Sequence, residues 1–270
     1  MKAWLPTDLT QPEIEGMMQD PGWAMQEKAD GKHVLAHVEH GRIFGTNRNG
    51  EETAIHSPVL RALSEIIPVT IPDGELLHEG PLVLYDLLQL ESEDLRSRTY
   101  AVRWDRLVKL TDTLGPPIQL IRSAFTGTEK LDLLTLLTDE QAEGVIFKRL
   151  DAPYTEGRPV IGGTMRRWKF RKRVDVVVQR RAATADDTRS FDMFAFNAEG
   201  EIVSLGSVSA RHFYEELEPG HARIAEAEYL YAGPTHHLVQ PTLIRFRDDK
   251  VAQDCGVHQL VLGKRFRKAS

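Results

Sequence analysis

The segment Glu27-Lys28-Ala29-Asp30-Gly31-Lys32 has the residue types that covalent transfer of a nucleotide would use. A lysine amine is a nucleophile only in its neutral form, which desolvation or nearby cations favour. Attack of Lys28 on the α-phosphate of a nucleotide would give a phosphoramidate. Such a step depends mainly on positioning and on neutralisation of charge. Lys28 is therefore the candidate nucleophile, although a Lys-x-Asp-Gly match alone is a weak signal.

Segments later in the chain could complete a site of this kind. Lys148 and Lys169 could supply positive charge near the nucleophile. Glu75 and Glu143 could hold Mg²⁺, a hard cation that prefers oxygen ligands. Tyr85 could cover the flat face of a base. In chain order the segments are Gly45-Thr46-Asn47-Arg48-Asn49-Gly50, Asp73-Gly74-Glu75-Leu76, Leu84-Tyr85-Asp86-Leu87-Leu88, Glu143-Gly144-Val145-Ile146-Phe147-Lys148, Trp168-Lys169-Phe170-Arg171 and Arg247-Asp248-Asp249-Lys250.

This ordered set, from about Glu27 to Lys250, resembles the collinear motifs of the covalent nucleotidyltransferases. That superfamily comprises ATP-dependent DNA ligases, RNA ligases and mRNA-capping guanylyltransferases. The resemblance is closest to a minimal ATP-dependent DNA ligase, which would seal nicks in duplex DNA through a lysyl-AMP and a DNA-adenylate. The implied cofactors are ATP and Mg²⁺ or Mn²⁺. ATP is expected rather than NAD⁺, since no extra module precedes Lys28 and no Cys-rich finger is present.

The resemblance also implies a role for each matching residue. Lys28 would carry AMP, Lys169 would contact the α-phosphate, and Lys148 would be a further catalytic lysine. Glu75 and Glu143 would be the metal-associated carboxylates. The nucleotide would be bound by Glu27, Asp30, Gly31, Arg48, Glu75, Tyr85, Glu143, Arg247, Asp249 and Lys250. DNA would be bound by His33, Arg48, Arg167 and Arg171.

Two positions depart from the family's pattern. The family usually has an arginine five residues after the nucleophile, and this chain has His33. Histidine is mostly neutral at pH 7 and is therefore a weaker anion ligand. The family usually has a second lysine two residues after Lys169, and this chain has Arg171. Arginine keeps the charge but has no tunable pKa.

The hydrophobic pattern predicts an α+β chain with two domains. Val34–Phe44 reads as a hairpin that turns at His40-Gly41. The further expected elements are helices at Ser57–Ile67 (with Ser57 as cap), Tyr100–Thr113 and Thr128–Leu137 and strands at Leu82–Tyr85 and Gly144–Lys148. Short strands follow at Val174–Gln179, Phe191–Phe196, Ile202–Val208, Ala225–Tyr231 and Leu243–Phe246, with a helix-like piece at Ala210–Leu217.

Residues 1–174 are expected to form an ATP-grasp-like nucleotidyltransferase (adenylation) domain of antiparallel sheets and helices. Residues 175–270 are expected to form an all-β OB-fold barrel, because five short strands suit a small barrel. Alternation along a single strand would place Arg167, Lys169 and Arg171 on one side, as a phosphate-binding cleft requires.

Composition limits the possible partners. The formal net charge is −6 over 270 residues, so nucleic-acid binding must come from local basic patches, such as Arg166–Arg173 and the C-terminal Lys264–Lys268. The single cysteine, Cys255, excludes an internal disulfide and a Cys-rich zinc site. No signal peptide or membrane span is evident, which predicts a cytoplasmic protein. The expected partner is nicked duplex DNA, bound by a monomer without an obligate protein partner.

Two other functions stay open. An RNA ligase or a capping guanylyltransferase would share the chemistry and differ in substrate. A non-catalytic nucleic-acid-binding relative of the ligases would keep the fold without the reaction, and His33 and Arg171 leave room for it. Labelled ATP distinguishes these alternatives, because only an active adenylyltransferase would form a labelled protein band.

Overall fold

The computed structural model describes residues 2–78, 80–181 and 189–263. The chain divides into two units, Met1–Lys169 and Phe170–Ser270. The C-terminal basic patch Lys264–Lys268 lies outside the described residues. No helix in the described ranges is both long enough and apolar enough to cross a membrane.

The first unit consists of two sheets and four helices. Its helices are α1 (Gln11–Gln19), α2 (Ser57–Leu63), α3 (Tyr100–Thr111) and α4 (Gly127–Asp139). Its strands are β1 (Thr7–Asp8), β2 (Trp23–Glu27), β3 (Lys32–Glu39), β4 (Arg42–Thr46), β5 (Glu52–Thr53), β6 (Ile71–Leu76), β7 (Leu82–Leu90), β8 (Glu93–Asp94), β9 (Ile118–Leu120), β10 (Ser123–Ala124), β11 (Gly144–Arg149) and β12 (Met165–Lys169).

The two sheets of this unit are mainly antiparallel. One has the strand order β5-β4-β3-β6-β7-β8, with β9 pairing in parallel with β7. The other has the order β1-β12-β11-β2-β10. A cluster of apolar side chains joins them, since it contains Leu35 of β3, Leu88 of β7 and Met165 of β12. A larger cluster packs α2 and α3 onto the first sheet. The α+β prediction for this part of the chain is confirmed.

Local sequence signals account for most of these elements. The β3–β4 hairpin turns at His40-Gly41 as predicted, and Gly41 has a φ of 76°, which suits glycine. Helix α4 begins with a capping box, in which Thr126 and Glu129 satisfy each other's backbone amides. Helix α2 begins one position differently from the prediction, because His56 and not Ser57 occupies the N-cap. It also ends at Leu63, so the expected extension to Ile67 is not helical.

The second unit is an antiparallel sheet with one longer 3₁₀ helix. Its strands are β13 (Lys172–Arg180), β14 (Ser190–Phe196), β15 (Ile202–Ser209), β16 (Ala222–Tyr229) and β17 (Thr242–Phe246), in the order β15-β14-β13-β16-β17. The five predicted strands are thus confirmed. In the described residues the end strands β15 and β17 are not paired with each other, so the sheet is not a closed barrel. The helix-like piece is a 3₁₀ helix, Arg211–Glu216.

The basic run Arg166–Arg173 does not form one strand as expected. Strand β12 ends at Lys169 and β13 begins at Lys172, and the boundary between the units falls between Lys169 and Phe170. Arg167 therefore lies in β12, whereas Arg171 lies in the connection before β13, so no single strand places them on one face.

Gly144, the first residue of β11, allows a close approach that a larger residue would prevent. A Cβ atom at this position would overlap the carbonyl oxygen of Trp168 in the paired strand β12. We expect Gly144→Ala to lower the free energy of unfolding by at least about 2 kcal/mol, because backbone must move to relieve the overlap. Urea unfolding followed by circular dichroism would measure the change.

The matched control is Gly16→Ala on an exposed face of α1, where no atom lies within 4 Å of the added Cβ. This change should raise stability by about 0.5–1 kcal/mol, since alanine favours the helix. Equal effects of the two substitutions would contradict the close-packing explanation for Gly144.

Candidate active site

A pocket of about 200 Å³ opens in the first unit. Residues from both sheets line it, which brings together side chains that are far apart in the sequence. Eight of the residues predicted from the sequence are on its wall: Glu27, Lys28, His33, Arg48, Glu75, Tyr85, Lys148 and Arg167.

Lys28 lies directly after β2, with its side chain facing a carboxylate. Its Nζ is 2.5 Å from Oε2 of Glu143, and its backbone amide donates to Gly144 O at 2.9 Å. The other carboxylate oxygen of Glu143 is 3.8 Å from Lys169 Nζ. Pairing of β11 with both β2 and β12 causes this arrangement. One carboxylate thus lies between two amines and accepts a hydrogen bond from Lys28.

The adjacent strands β3 and β6 contribute His33 and Glu75, which are cross-strand partners. His33 Nε2 lies 2.8 Å from Asp73 Oδ1, and its Nδ1 has no hydrogen-bond partner among the described residues. Burial opposes protonation of His33, but the charge of Asp73 and its hydrogen bond prevail and raise the pKa. His33 is therefore more often cationic than a free histidine, which partly restores the positive charge that the family's arginine would supply.

Glu75 is on the pocket wall and has a strongly perturbed acidity. Burial raises the pKa of its carboxyl to about 7, and the charges of Asp73 and Glu143 add to that effect. The charges of Lys28 and His33 oppose it. In the absence of a bound cation, Glu75 thus holds a proton near neutral pH.

Tyr85 and Lys148 lie next to each other on the pocket wall. Lys148 Nζ lies 4.7 Å from the centre of the Tyr85 ring and donates to the Tyr85 carbonyl oxygen at 3.0 Å. It is also 3.5 Å from Oδ2 of the buried Asp86. Burial lowers the pKa of Lys148, and the carboxylate of Asp86 opposes that shift. The ammonium group and the ring therefore hold each other in place beneath the pocket.

A buried ion pair supports this wall from behind. Arg103 of α3 donates two hydrogen bonds to Asp86, at 2.7 and 3.0 Å, and both side chains are fully buried. Arg103 also donates to the carbonyl oxygens of Arg98 and Ala152. Asp86 thus has two cationic neighbours, Arg103 and Lys148.

The other residues of the Lys28 motif lie close to β6 or at the surface. A Cβ at Gly31 would lie 2.6 Å from Leu76 O and 2.9 Å from Glu75 Cγ, so only glycine lets this turn approach β6. Asp30 is exposed. Arg48 follows β4 and lines the pocket near His33.

Two of the predicted DNA-binding arginines, Arg167 and Arg171, are paired with carboxylates within their own units. Arg167 donates to Asp8 at 2.6 and 3.1 Å. Arg171, in the second unit, lies 3.6 Å from Glu228 and donates to Gln240 O.

The predicted motif in the second unit is brought together around one carboxylate. Arg247 is bonded to Asp249 at 2.7 Å and to Asp175 at 3.1 Å, and Lys250 Nζ lies 3.9 Å from Asp175. Asp175 was not predicted from the sequence.

Sequence analysis also missed four residues that lie at or next to the pocket of the first unit: Asp73, Asp86, Arg103 and Arg122. Asp73 and Asp86 lie inside motifs that were recognised, so their positions were available. Arg103 could have been found as a charge on the apolar stripe of α3 with Tyr100 and Leu107, all of which are buried. No sequence signal marks Arg122.

Glu75 and Glu143 are the carboxylates that could bind a divalent cation. No group of three or more His, Cys, Asp or Glu side chains in the described part of the chain is arranged to hold a metal by itself. Mg²⁺ commonly binds through one or two carboxylates together with substrate phosphates and water. The donor set fits such a shared site and not an all-protein cage.

Comparison with known proteins gives the class of this fold. No family model matches the chain. LigD of Mycobacterium tuberculosis, a multifunctional non-homologous end joining DNA repair protein, is 26% identical over 153 residues, which are 50% of this chain and 20% of LigD. DNA ligase 1 of Korarchaeum cryptofilum is 35% identical over 89 residues, which are 32% of this chain and 16% of that protein. The chain thus spans about a fifth of the length of these curated relatives.

Solved structures agree with the sequence relatives. Mycobacterial DNA ligase D complexed with ATP superposes with a TM-score of 0.56 at 20% identity, covering 97% of this chain and 98% of that one. A Lig E DNA ligase superposes with a TM-score of 0.66 at 12% identity, covering 92% and 99%. The chain therefore has the fold of DNA ligase domains. The resemblance to ATP-dependent DNA ligases that the motif order predicted is confirmed.

The acidity of Glu75 predicts a pH dependence of stability. The folded protein binds a proton at Glu75 more tightly than the unfolded chain, whose carboxyl has a pKa near 4.5. The contribution of Glu75 to stability is therefore complete below pH 4.5 and is lost as the pH rises through about 7. A pKa difference of this size corresponds to about 3 kcal/mol. We expect Glu75→Gln to reduce the loss of stability between pH 4.5 and pH 8 by an amount of that order.

Urea unfolding of the unliganded protein at both pH values would measure this effect. Glu65→Gln, at an exposed position next to α2, is the control and should leave the pH dependence unchanged. An identical pH dependence in wild type and Glu75→Gln would show that Glu75 ionises normally.

The buried Asp86 predicts a large structural effect of charge removal. Asp86→Asn would leave the guanidinium of Arg103 and the ammonium of Lys148 without their shared counter-ion. Breaking a buried pair on one side costs about 3–5 kcal/mol. The control is Asp105→Asn, which breaks an exposed pair with Lys109 on the same helix as Arg103 and should have little effect. A wild-type unfolding midpoint for Asp86→Asn would contradict this account of the pocket wall.

Proposed function

We propose that the chain is an ATP-dependent DNA ligase that carries AMP on Lys28. The observation that carries the proposal is the contact of Lys28 with Glu143 at the wall of a pocket that Tyr85 and Arg48 also line. The carboxylate of Glu143 is an acceptor for the Lys28 proton, and the positive charge of Lys169 beside that carboxylate would favour the neutral amine that attacks. The fold shared with DNA ligase domains supports the same conclusion.

In the first step, Glu143 Oε2 accepts the proton of the Lys28 ammonium, and the neutral amine attacks the α-phosphorus of ATP. A P–N bond forms, and the bond to pyrophosphate breaks. Lys169 lies near the carboxylate of Glu143 and would neutralise charge on the α-phosphate. Tyr85 would stack on the adenine, and Lys148 would fix the Tyr85 ring from beneath and add positive charge. Glu75, and Glu143 while it is ionised, would hold Mg²⁺, whose charge would offset the negative charge of the triphosphate.

In the later steps, AMP moves to the 5′-phosphate of a nick, and the 3′-hydroxyl then attacks that phosphate and releases AMP. His33, Arg48 and Arg167 would contact the phosphates of DNA at the pocket. Arg171 of the second unit would contact DNA phosphates as well. Arg247, Asp249 and Lys250 would orient the pyrophosphate in the first step. We propose that the second unit acts as an OB-type module, as the motif resemblance implies, although its sheet is open.

The substrate is nicked duplex DNA, bound by a monomer. The related LigD proteins are named for non-homologous end joining. Repair of DNA breaks is therefore the setting that we propose. A capping enzyme would use GTP in place of ATP, and an RNA ligase would join nicked RNA in place of nicked DNA. Labelled nucleotide separates these enzymes from a DNA ligase.

Incubation with α-labelled ATP and Mg²⁺ tests the first step. We expect a labelled protein band that disappears in Lys28→Ala, since no other residue would carry the P–N bond. Lys109→Ala, at an exposed lysine of α3, is the matched control and should be labelled like wild type. A band that persists in Lys28→Ala would refute the assignment of the nucleophile.

The same labelled protein separates the alternatives. Transfer from ATP but not from GTP excludes a capping guanylyltransferase. Release of the label on nicked DNA, with joined product, and not on nicked RNA excludes an RNA ligase. DNA binding without any labelled band in wild type would favour the non-catalytic relative over the enzyme.

A further inference from the structure

Arg122 connects the two chain segments that carry Lys28 and Glu143. It lies between β9 and β10, and its Nε donates to Glu27 Oε2 at 2.8 Å. Its two terminal nitrogens donate to the two carboxylate oxygens of Glu140, at 2.9 and 2.8 Å. One guanidinium thus binds two carboxylates at once, which its planar fork of donors permits.

The two carboxylates occupy corresponding places beside the reacting pair. Glu27 is the residue immediately before Lys28, at the end of β2. Glu140 is the C-cap of α4 and comes three residues before Glu143. A backbone hydrogen bond also connects the two residues, since the amide of Glu27 donates to Arg122 O at 3.0 Å. Movement of either segment would therefore strain the contacts of Arg122.

Glu27 also lines the pocket, where the phosphates of a nucleotide would lie. Without a partner, its carboxylate would repel those phosphates. Arg122, which does not line the pocket, neutralises this charge.

We propose that Arg122 is a positioning residue for adenylyl transfer, which holds Lys28 in register with Glu143 and neutralises Glu27. This inference rests on the proposed function of the same site. Arg122 does not touch the reacting atoms, so it acts through Glu27 and Glu140.

The exposure of the cluster separates this role from a purely structural one. The side chains of Arg122, Glu27 and Glu140 are 34%, 18% and 33% exposed. Partly exposed ion pairs contribute little to the stability of a fold. A displacement of about 1 Å at a reacting group, in contrast, can reduce the rate about 100-fold. Loss of Arg122 should therefore affect the rate of adenylylation far more than it affects folding.

The test measures single-turnover adenylylation with labelled ATP at increasing ATP concentration, beside the unfolding midpoint of each variant. Arg122→Ala should lower the maximal rate at least tenfold, with a smaller change in the ATP concentration for half-maximal rate and a midpoint within a few degrees of wild type. Arg122→Lys keeps the charge but cannot bridge both carboxylates, so its maximal rate should be intermediate. Glu140→Gln, which leaves Glu27 neutralised, should lose less than Arg122→Ala.

Arg149→Ala is the matched control, because Arg149 forms an exposed pair with Asp151 and should not alter the rate. Maximal rates within twofold of wild type for both Arg122→Ala and Arg122→Lys would overturn the proposal. Rate losses that only follow the unfolding midpoint across all variants would overturn it as well. If Arg122→Ala does not fold, the maximal rates of Arg122→Lys and Glu140→Gln test the proposal instead. Rates within twofold of wild type for both variants would then overturn it.

Failure of this inference is distinguishable from failure of the proposed function. A labelled wild type with equally labelled Arg122 variants refutes the positioning role alone. A wild type that forms no labelled protein refutes the enzyme activity and the positioning role together.

Discussion

The contact between the Lys28 ammonium and the Glu143 carboxylate is the interaction to which the rest of the site is fitted. The two residues are 115 positions apart, and their nitrogen and oxygen lie 2.5 Å from each other. Three strands of one sheet bring them together, because β11 pairs with β2 on one side and with β12 on the other. Lys169 enters from the far strand. A one-residue slip in either pairing would turn these side chains to the opposite face.

Buried charge is the second constraint on this unit. Asp86 lies behind the pocket with two cations, Arg103 and Lys148, and each of these also binds backbone carbonyl oxygens. A buried ion is tolerated only when its charge and hydrogen-bonding groups are satisfied. The ammonium of Lys148 is thereby fixed under the Tyr85 ring. The pocket wall at Tyr85 is therefore supported by charged groups that contact one another.

Each sheet of the first unit supplies a different part of the site. The β3–β6–β7 sheet contributes His33, Glu75 and Tyr85, whereas the β2–β11–β12 sheet and its flanking turns contribute the lysines and Glu143. The position of His33 shows how a departure from the family's pattern can be compensated, since Asp73 raises its pKa. The same fold is found at 12% identity in a Lig E DNA ligase, so most side chains of this fold can differ.

The sequence by itself determined the local elements and the candidate nucleophile. Hairpin β3–β4, helices α3 and α4 and the apolar strands β7 and β11 follow from periodicity, turn residues and caps, which act between neighbours in the chain. Residues singled out from the sequence account for eight of the sixteen residues that line the pocket. Tertiary structure alone decided that Arg103 is buried against Asp86 and that Arg122 joins Glu27 to Glu140. It also decided that the basic run is divided at Lys169 and that the second sheet stays open, because these features depend on strand register and on contacts between residues far apart in the chain.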